Sequence, residues 1–156
     1  MTMNTPKGLY GKLALAEMVT WALLILGLAL KYVFKVTEMA TTIFGGIHGF
    51  TFLCYVATTI LVWINQKWTF GRGVAGLFSS IIPFMTYPFE QNTLKAGLLE
   101  GPWRFTDVSE RPNGIFEWAL ATIIRRPFLS ALAILIILAV VFSLLLMAGP
   151  PTQWFS

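Results

Sequence analysis

Residues 128–147, FLSALAILIILAVVFSLLLM, carry no charge, and Ser130 and Ser143 are their only hydroxyls. Twenty such residues in a helix rise about 30 Å, the thickness of a bilayer hydrocarbon core. Arg125, Arg126 and Pro127 stand before the run, and Gly149, Pro150 and Pro151 follow it, so both ends are marked. A segment of this kind satisfies its backbone polar groups in lipid only as a helix, which makes the chain a membrane protein. Composition agrees: 56% of residues are hydrophobic and 12% charged, about half the charge of a soluble domain.

The expected fold class is all-α, an integral membrane bundle of about four transmembrane helices with a short interfacial helix before the last. Residues 13–90 form a three-helix membrane core, 91–126 a polar connection and 127–149 the fourth helix. Helix one is read as Leu13 to Phe34, with Lys7 and Lys12 before it and Lys31 and Lys35 at its far end. Helix two is Thr42 to Ile64, with Trp63 and Trp68 as interface aromatics. Helix three is Gly73 to Tyr87, which Pro83 and Pro88 kink or stop. In the polar connection Ile115 to Ile124 reads as an interfacial helix with Asn113 as its N-cap and Phe116, Trp118, Leu120 and Ile123 as its apolar surface.

The net charge of +4 comes from basic residues at the ends of apolar runs, which is anchoring and topology rather than nucleic-acid binding. With four spans, both termini share one side. Seven basic residues then fall on the side of Lys31 and Lys35 and four on the other, but the short-loop and N-terminal signals sit with the four, so charge leaves the orientation open. Cys54 is the single cysteine, so no internal disulfide exists. The first apolar run is too long for a cleaved signal peptide and no A-x-A site follows it.

The most polar intramembrane stretch is Gly45-Gly46-Ile47-His48-Gly49-Phe50. His48 is the only histidine, and an imidazole in lipid suggests proton carriage or metal or haem ligation. One histidine without partners makes no metal site, so the reading taken is a histidine near the interface bonded to a neighbour. Gly45 and Gly49 form a small-xxx-small pair that lets another helix approach, and Phe52 and Tyr55 continue the His48 face. Glu17 is placed about one turn inside helix one, near Trp63, Asn65 and Lys67. Four-span topology gathers Lys31, Glu38, His48, Tyr87 and Glu90 at the opposite membrane face. No hydrolase elbow, phosphate loop or nucleotide fingerprint occurs, and neither a cofactor nor a metal is expected.

Glu17, the Leu30-Lys31-Tyr32 triplet, the Gly-x-His-Gly segment ending at Gly49, Tyr55, Trp68 and Ile82-Pro83-Phe84 together form a pattern. It resembles a family of small bacterial integral membrane proteins known only as a domain of unknown function, over about residues 13–90. The resemblance implies a three-helix membrane core and no activity. The polar connection and fourth helix lie beyond it and suit docking, with Trp103 and Trp118 as contact surface.

The leading expectation is a non-catalytic accessory subunit of a larger complex in the bacterial plasma membrane, such as a respiratory oxidase or supercomplex. Its partners would be the lipid bilayer and other membrane-protein subunits, with no nucleic acid. The alternative is a small oligomeric transporter or channel component using Glu17, Lys31 and His48. A lipid-directed enzyme built on His48 and Glu90 ranks last, since no nucleophile accompanies them.

Overall fold

A computed structural model of the protein describes residues 5–149; the predicted stop at Pro150 and Pro151 lies outside them. The described residues form six helices and no strand: α1 Pro6–Tyr32, α2 Met39–Gln66, α3 Phe70–Ser79, α4 Thr86–Lys95, α5 Ile115–Arg125 and α6 Pro127–Ala148.

Helix α1 starts earlier than the apolar run suggests. Thr5 caps it by accepting from the Gly8 amide, and Pro6 fills the first helical position, where its missing N–H costs nothing. Helix α2 returns antiparallel beside it. The two backbones come close at Gly27, where an added Cβ would lie 3.1 Å from the Thr41 Cα, and there the Thr41 hydroxyl donates to the Gly27 carbonyl at 2.7 Å.

The predicted third span is instead a helical hairpin. Helix α3 stops at Ser79, four residues before Pro83, whose ring would clash with that carbonyl if the helix continued. Pro88 lies in the first turn of α4, where a proline is tolerated. The tip between them holds Phe84 at φ 63°, a left-handed conformation that reverses the chain. Along α3, Gly73 meets Trp63 and Gly76 meets Thr59, so the helix climbs α2 from its C-terminal end. The tip reaches mid-bundle, where the Trp21 indole donates to the Ser80 carbonyl at 3.3 Å. Helix α4 then descends α1: the Thr86 hydroxyl donates to the Ala14 carbonyl at 2.9 Å. Beyond α4, Trp68 donates to the Leu98 carbonyl and Lys7 pairs with Glu100 at 3.4 Å. The hairpin therefore leaves by the end it entered.

The polar connection folds against that same end. Arg104 donates to the Asn65 and Ile64 carbonyls and to Glu117 Oε1, the last at 2.9 Å. Phe105, Leu120 and Ala121 form a small core against Leu61 and Ile64. Gly114, at φ 88°, occupies the cap position of α5 that was assigned to Asn113; the cap contact is Glu117 reaching back to the Asn113 amide at 2.9 Å. Helix α6 then runs along α2 to the opposite end, bringing Phe142 to Gly49 and Phe50. Among the described residues three helices, α1, α2 and α6, are long and apolar enough to cross a membrane, where four were expected, and the two ends of the described chain lie at opposite ends of the bundle.

Candidate functional site

The inner faces of α1, α2, α3 and α4 enclose a polar core. Glu17 is fully buried and His48 is 8% exposed. Because α1 begins at Pro6, Glu17 lies near its middle rather than one turn inside an interface. Antiparallel packing sets His48 beside it, with Glu17 Oε2 3.6 Å from His48 Nδ1. That distance is too long for a hydrogen bond. The Thr20 hydroxyl stands between them: its oxygen is 3.1 Å from His48 Nδ1, 3.4 Å from Glu17 Oε2 and 3.0 Å from the Glu17 carbonyl. With the Thr20 hydrogen directed to Glu17, the oxygen accepts from His48 Nδ1–H. Trp21 covers the imidazole at 4.4 Å between ring centroids. Glu17 Oε1 is buried without a hydrogen-bond partner.

A second polar layer lies below. Tyr10 is seven residues before Glu17 on α1, and Tyr55 seven after His48 on α2, so each repeats its helix's inward face two turns on. Both rings are fully buried and stacked, 5.3 Å apart, with their hydroxyls 2.7 Å apart. The Tyr55 hydroxyl also contacts Ser79 Oγ at 2.9 Å, and Thr59 Oγ1 reaches the Tyr10 hydroxyl at 3.4 Å. Glu90 of α4 is fully buried in the same region; Gln91 donates to its Oε2, and Oε1 has no partner.

The structure thus joins Glu17 with His48 and separates groups the four-span topology had gathered. Lys31 pairs with Glu38 at 3.5 Å on the surface of the far end and lies 5.2 Å over the exposed Tyr32 ring. Glu90 is at the hairpin's end of the bundle, away from both. Asn65, expected near Glu17, accepts instead from the Arg104 amide at 2.8 Å. Gly45 and Gly49 serve different neighbours: a Cβ added at Gly45 would lie 3.7 Å from Leu24 of α1, and one at Gly49 3.1 Å from Phe142 of α6. Tyr55 keeps its predicted place on the His48 face. Tyr10, Thr20, Ser79 and Thr86 were missed. Thr20 is on the Glu17 face by its i+3 spacing alone, whereas the Thr5-Pro6 start signal is what brings Tyr10 into α1 and onto that face.

Among the described residues no group of three or more His, Cys, Asp or Glu could hold a metal ion. A cavity of about 680 Å³ opens elsewhere, at the end of α2 between Trp63, Lys67, Leu77 and Phe116; it is mainly apolar and none of its lining residues belongs to the polar core. The core presents two carboxyls, an imidazole and hydroxyls, groups that exchange protons.

The model of a family described as a domain of unknown function, DUF3817, matches residues 8–95, more than half the chain and the stretch that carries α1 to α4. A Streptomyces coelicolor protein whose name describes it as a candidate membrane protein is 42% identical over 91 residues, 58% of this chain and 11% of that protein. The chain thus spans about a tenth of the length of the curated relative it matches. No solved structure matches it.

Proposed function

The chain belongs to the DUF3817 family, and from that premise we propose that it is a proton-handling component of a small transporter or channel, working as an oligomer in the bacterial plasma membrane. One observation carries this reading: Glu17 and His48 meet inside the bundle, with a carboxylate oxygen left unpartnered. Ionisable side chains in lipid are expensive and are kept where they act. A carboxyl and an imidazole bridged by a hydroxyl can hold one proton between them and release it to either side of the pair. Three spans enclose no pore of their own, so a path through the membrane needs further copies or partners.

The test is proton flux in vesicles of reconstituted protein. Wild type should dissipate an imposed pH gradient faster than empty vesicles. Glu17→Gln, which keeps the shape and removes the titrating group, should return flux to the empty-vesicle rate. Wild-type rates in Glu17→Gln would defeat the proposal.

A second reading is the accessory subunit of a larger complex, such as a respiratory oxidase. Helix α6 favours it: none of its residues is buried, and it lies outside the family match. Mild-detergent purification that brings down stoichiometric subunits of a larger complex would support that role; a chain that purifies only with itself would leave the transporter reading alone.

A further inference from the structure

Two fully buried carboxyls, Glu17 and Glu90, each keep one oxygen without a partner. Between them lies a run of hydroxyls whose hydrogen-bond direction can be worked out. Ser79 donates to the Gly76 carbonyl at 2.6 Å, which commits its only hydrogen. At 2.9 Å, Tyr55 must then donate to Ser79 Oγ. Its hydrogen being used, Tyr55 accepts from Tyr10 at 2.7 Å. The order is Tyr10 to Tyr55 to Ser79, all pointing one way. Glu90 is close enough to act electrostatically on Tyr10, and Glu17 on Tyr55. Ser79 sits next to Ser80, whose carbonyl holds Trp21, and Trp21 covers His48.

We propose that Glu90 is the proton-uptake group of the bundle, joined to the Glu17–His48 pair by the hydroxyls of Tyr10, Tyr55 and Ser79. This rests on the proton-handling reading and adds the side and route of uptake. Glu90 lies at the end where the hairpin opens, and Lys7 of α1 acts on it from that side. Arg72 of α3 is held by Asn92 and Thr93 one turn further out. Protonated Glu90 gives its proton, across a bridging water, to the Tyr10 oxygen as Tyr10 passes its own to Tyr55 and Tyr55 to Ser79, and Ser79 turns its own hydrogen away from the Gly76 carbonyl and releases it toward the pair. Glu90 ends as a carboxylate, the pair gains one proton, and the three hydroxyls are unchanged in composition and rotate back. The first interval, from Glu90 to Tyr10, and the last, from Ser79 to the pair, hold no direct hydrogen bond and are ones for bridging water, each beside a carboxyl oxygen without a partner.

The hairpin gains a purpose under this scheme. A third full span would carry Glu90 to the far end, whereas the turn at Phe84 returns it to the end shared with Lys7.

The experiment is proton flux in reconstituted vesicles for full-length wild type, Glu17→Gln, Glu90→Gln, Tyr55→Phe and Ser79→Ala, each checked for wild-type helicity and a monodisperse elution profile. Glu90→Gln and Tyr55→Phe should slow flux by about tenfold or more, as expected on losing a positioned proton-transfer group. Ser79→Ala leaves no large cavity and supplies the same test if Tyr55→Phe does not fold. If Glu17→Gln abolishes flux while Tyr55→Phe and Ser79→Ala keep the wild-type rate, the relay is wrong and the pair stands. A wild-type rate in Glu90→Gln removes Glu90 as the uptake group. A Glu17→Gln protein with wild-type flux, or wild type no faster than empty vesicles, overturns the underlying reading and the relay with it.

Discussion

At the residue scale the bundle depends on side chains that are absent as much as on those present. A Cβ on Gly73 would fall on the Trp63 indole, whose ring nitrogen is held by the Trp68 carbonyl at 3.0 Å and so cannot simply swing away. Gly73→Ala should therefore cost about 1–3 kcal/mol, the usual range for overpacking, and lower the thermal midpoint in detergent. Gly46→Ala is the control, because nothing lies within 4 Å of its Cβ position; it should leave the midpoint unchanged or raise it slightly. Glycine spacing in the sequence pointed to Gly45 and Gly49, since small-xxx-small pairs are the familiar sign of close helices. Gly73, the tightest, and Gly27, the one that meets a neighbouring backbone, carry no such pattern. Their need for a missing side chain comes from the neighbour opposite, which only the packing reveals.

At the scale of elements, α5 is held by one carboxyl with two tasks. The Asn113 amide first, and the Arg104 guanidinium second, hold the Glu117 carboxyl below the usual carboxylate range. A carboxyl depressed in the folded state stabilises that state at pH above its ordinary value, about 4.3 for glutamate. The contribution fades as pH falls through the lower folded value. The docking of α5 should thus loosen on acidification below about pH 4 and be level above pH 6. Hydrogen exchange at the Asn113 amide, corrected for its intrinsic rate, should report this. Glu117→Gln should speed exchange at neutral pH, by about 1–2 kcal/mol of local opening, and flatten the acid dependence. An unchanged acid profile in that variant would show that Glu117 is not the group responsible. The existence of α5 was legible in its apolar positions, but its cap was not. Asn113 is the better capping residue by type, yet Gly114 takes the position because the chain enters at φ 88°, which glycine adopts without strain.

At the scale of the whole molecule, the hairpin decides topology. Reading 73–87 as a span reverses the side of everything after it. With the hairpin returning to its starting end, Lys7, Lys12, Lys67, Arg72, Lys95, Arg104, Arg111, Arg125 and Arg126 share one end, and Lys31 and Lys35 hold the other. Nine basic residues against two is an asymmetry the positive-inside rule can use. The end bearing Lys7, the hairpin mouth and the polar connection should face the cytoplasm, and Lys35 and Gly149 the outside. Single cysteines introduced on a Cys54→Ser background test this: Val36→Cys should react with a membrane-impermeant thiol reagent on intact cells, and Ser109→Cys only after permeabilisation. The reverse pattern would refute the arrangement.

Hydrophobicity written along the chain determined by itself that this is a helical membrane protein, placed α1, α2, α5 and α6 to within a few residues at most ends, and exposed Glu17, His48 and Tyr55 as polar intrusions. These are local properties, set by the cost of exposing backbone and charge to lipid. Tertiary structure alone decided that Glu17 lies against His48, that Glu90 is buried at the other end from Lys31, and that α3 and α4 turn back instead of crossing. Each depends on depth and on which helix lies opposite. Depth follows from where a helix begins, and a cap eight residues ahead of the apolar run moved Glu17 to the middle of the bundle. Whether two ten-residue helices cross or return is settled by the partners they find, here Ala14 for Thr86 and Tyr55 for Ser79, and no stretch of the chain carries that choice on its own.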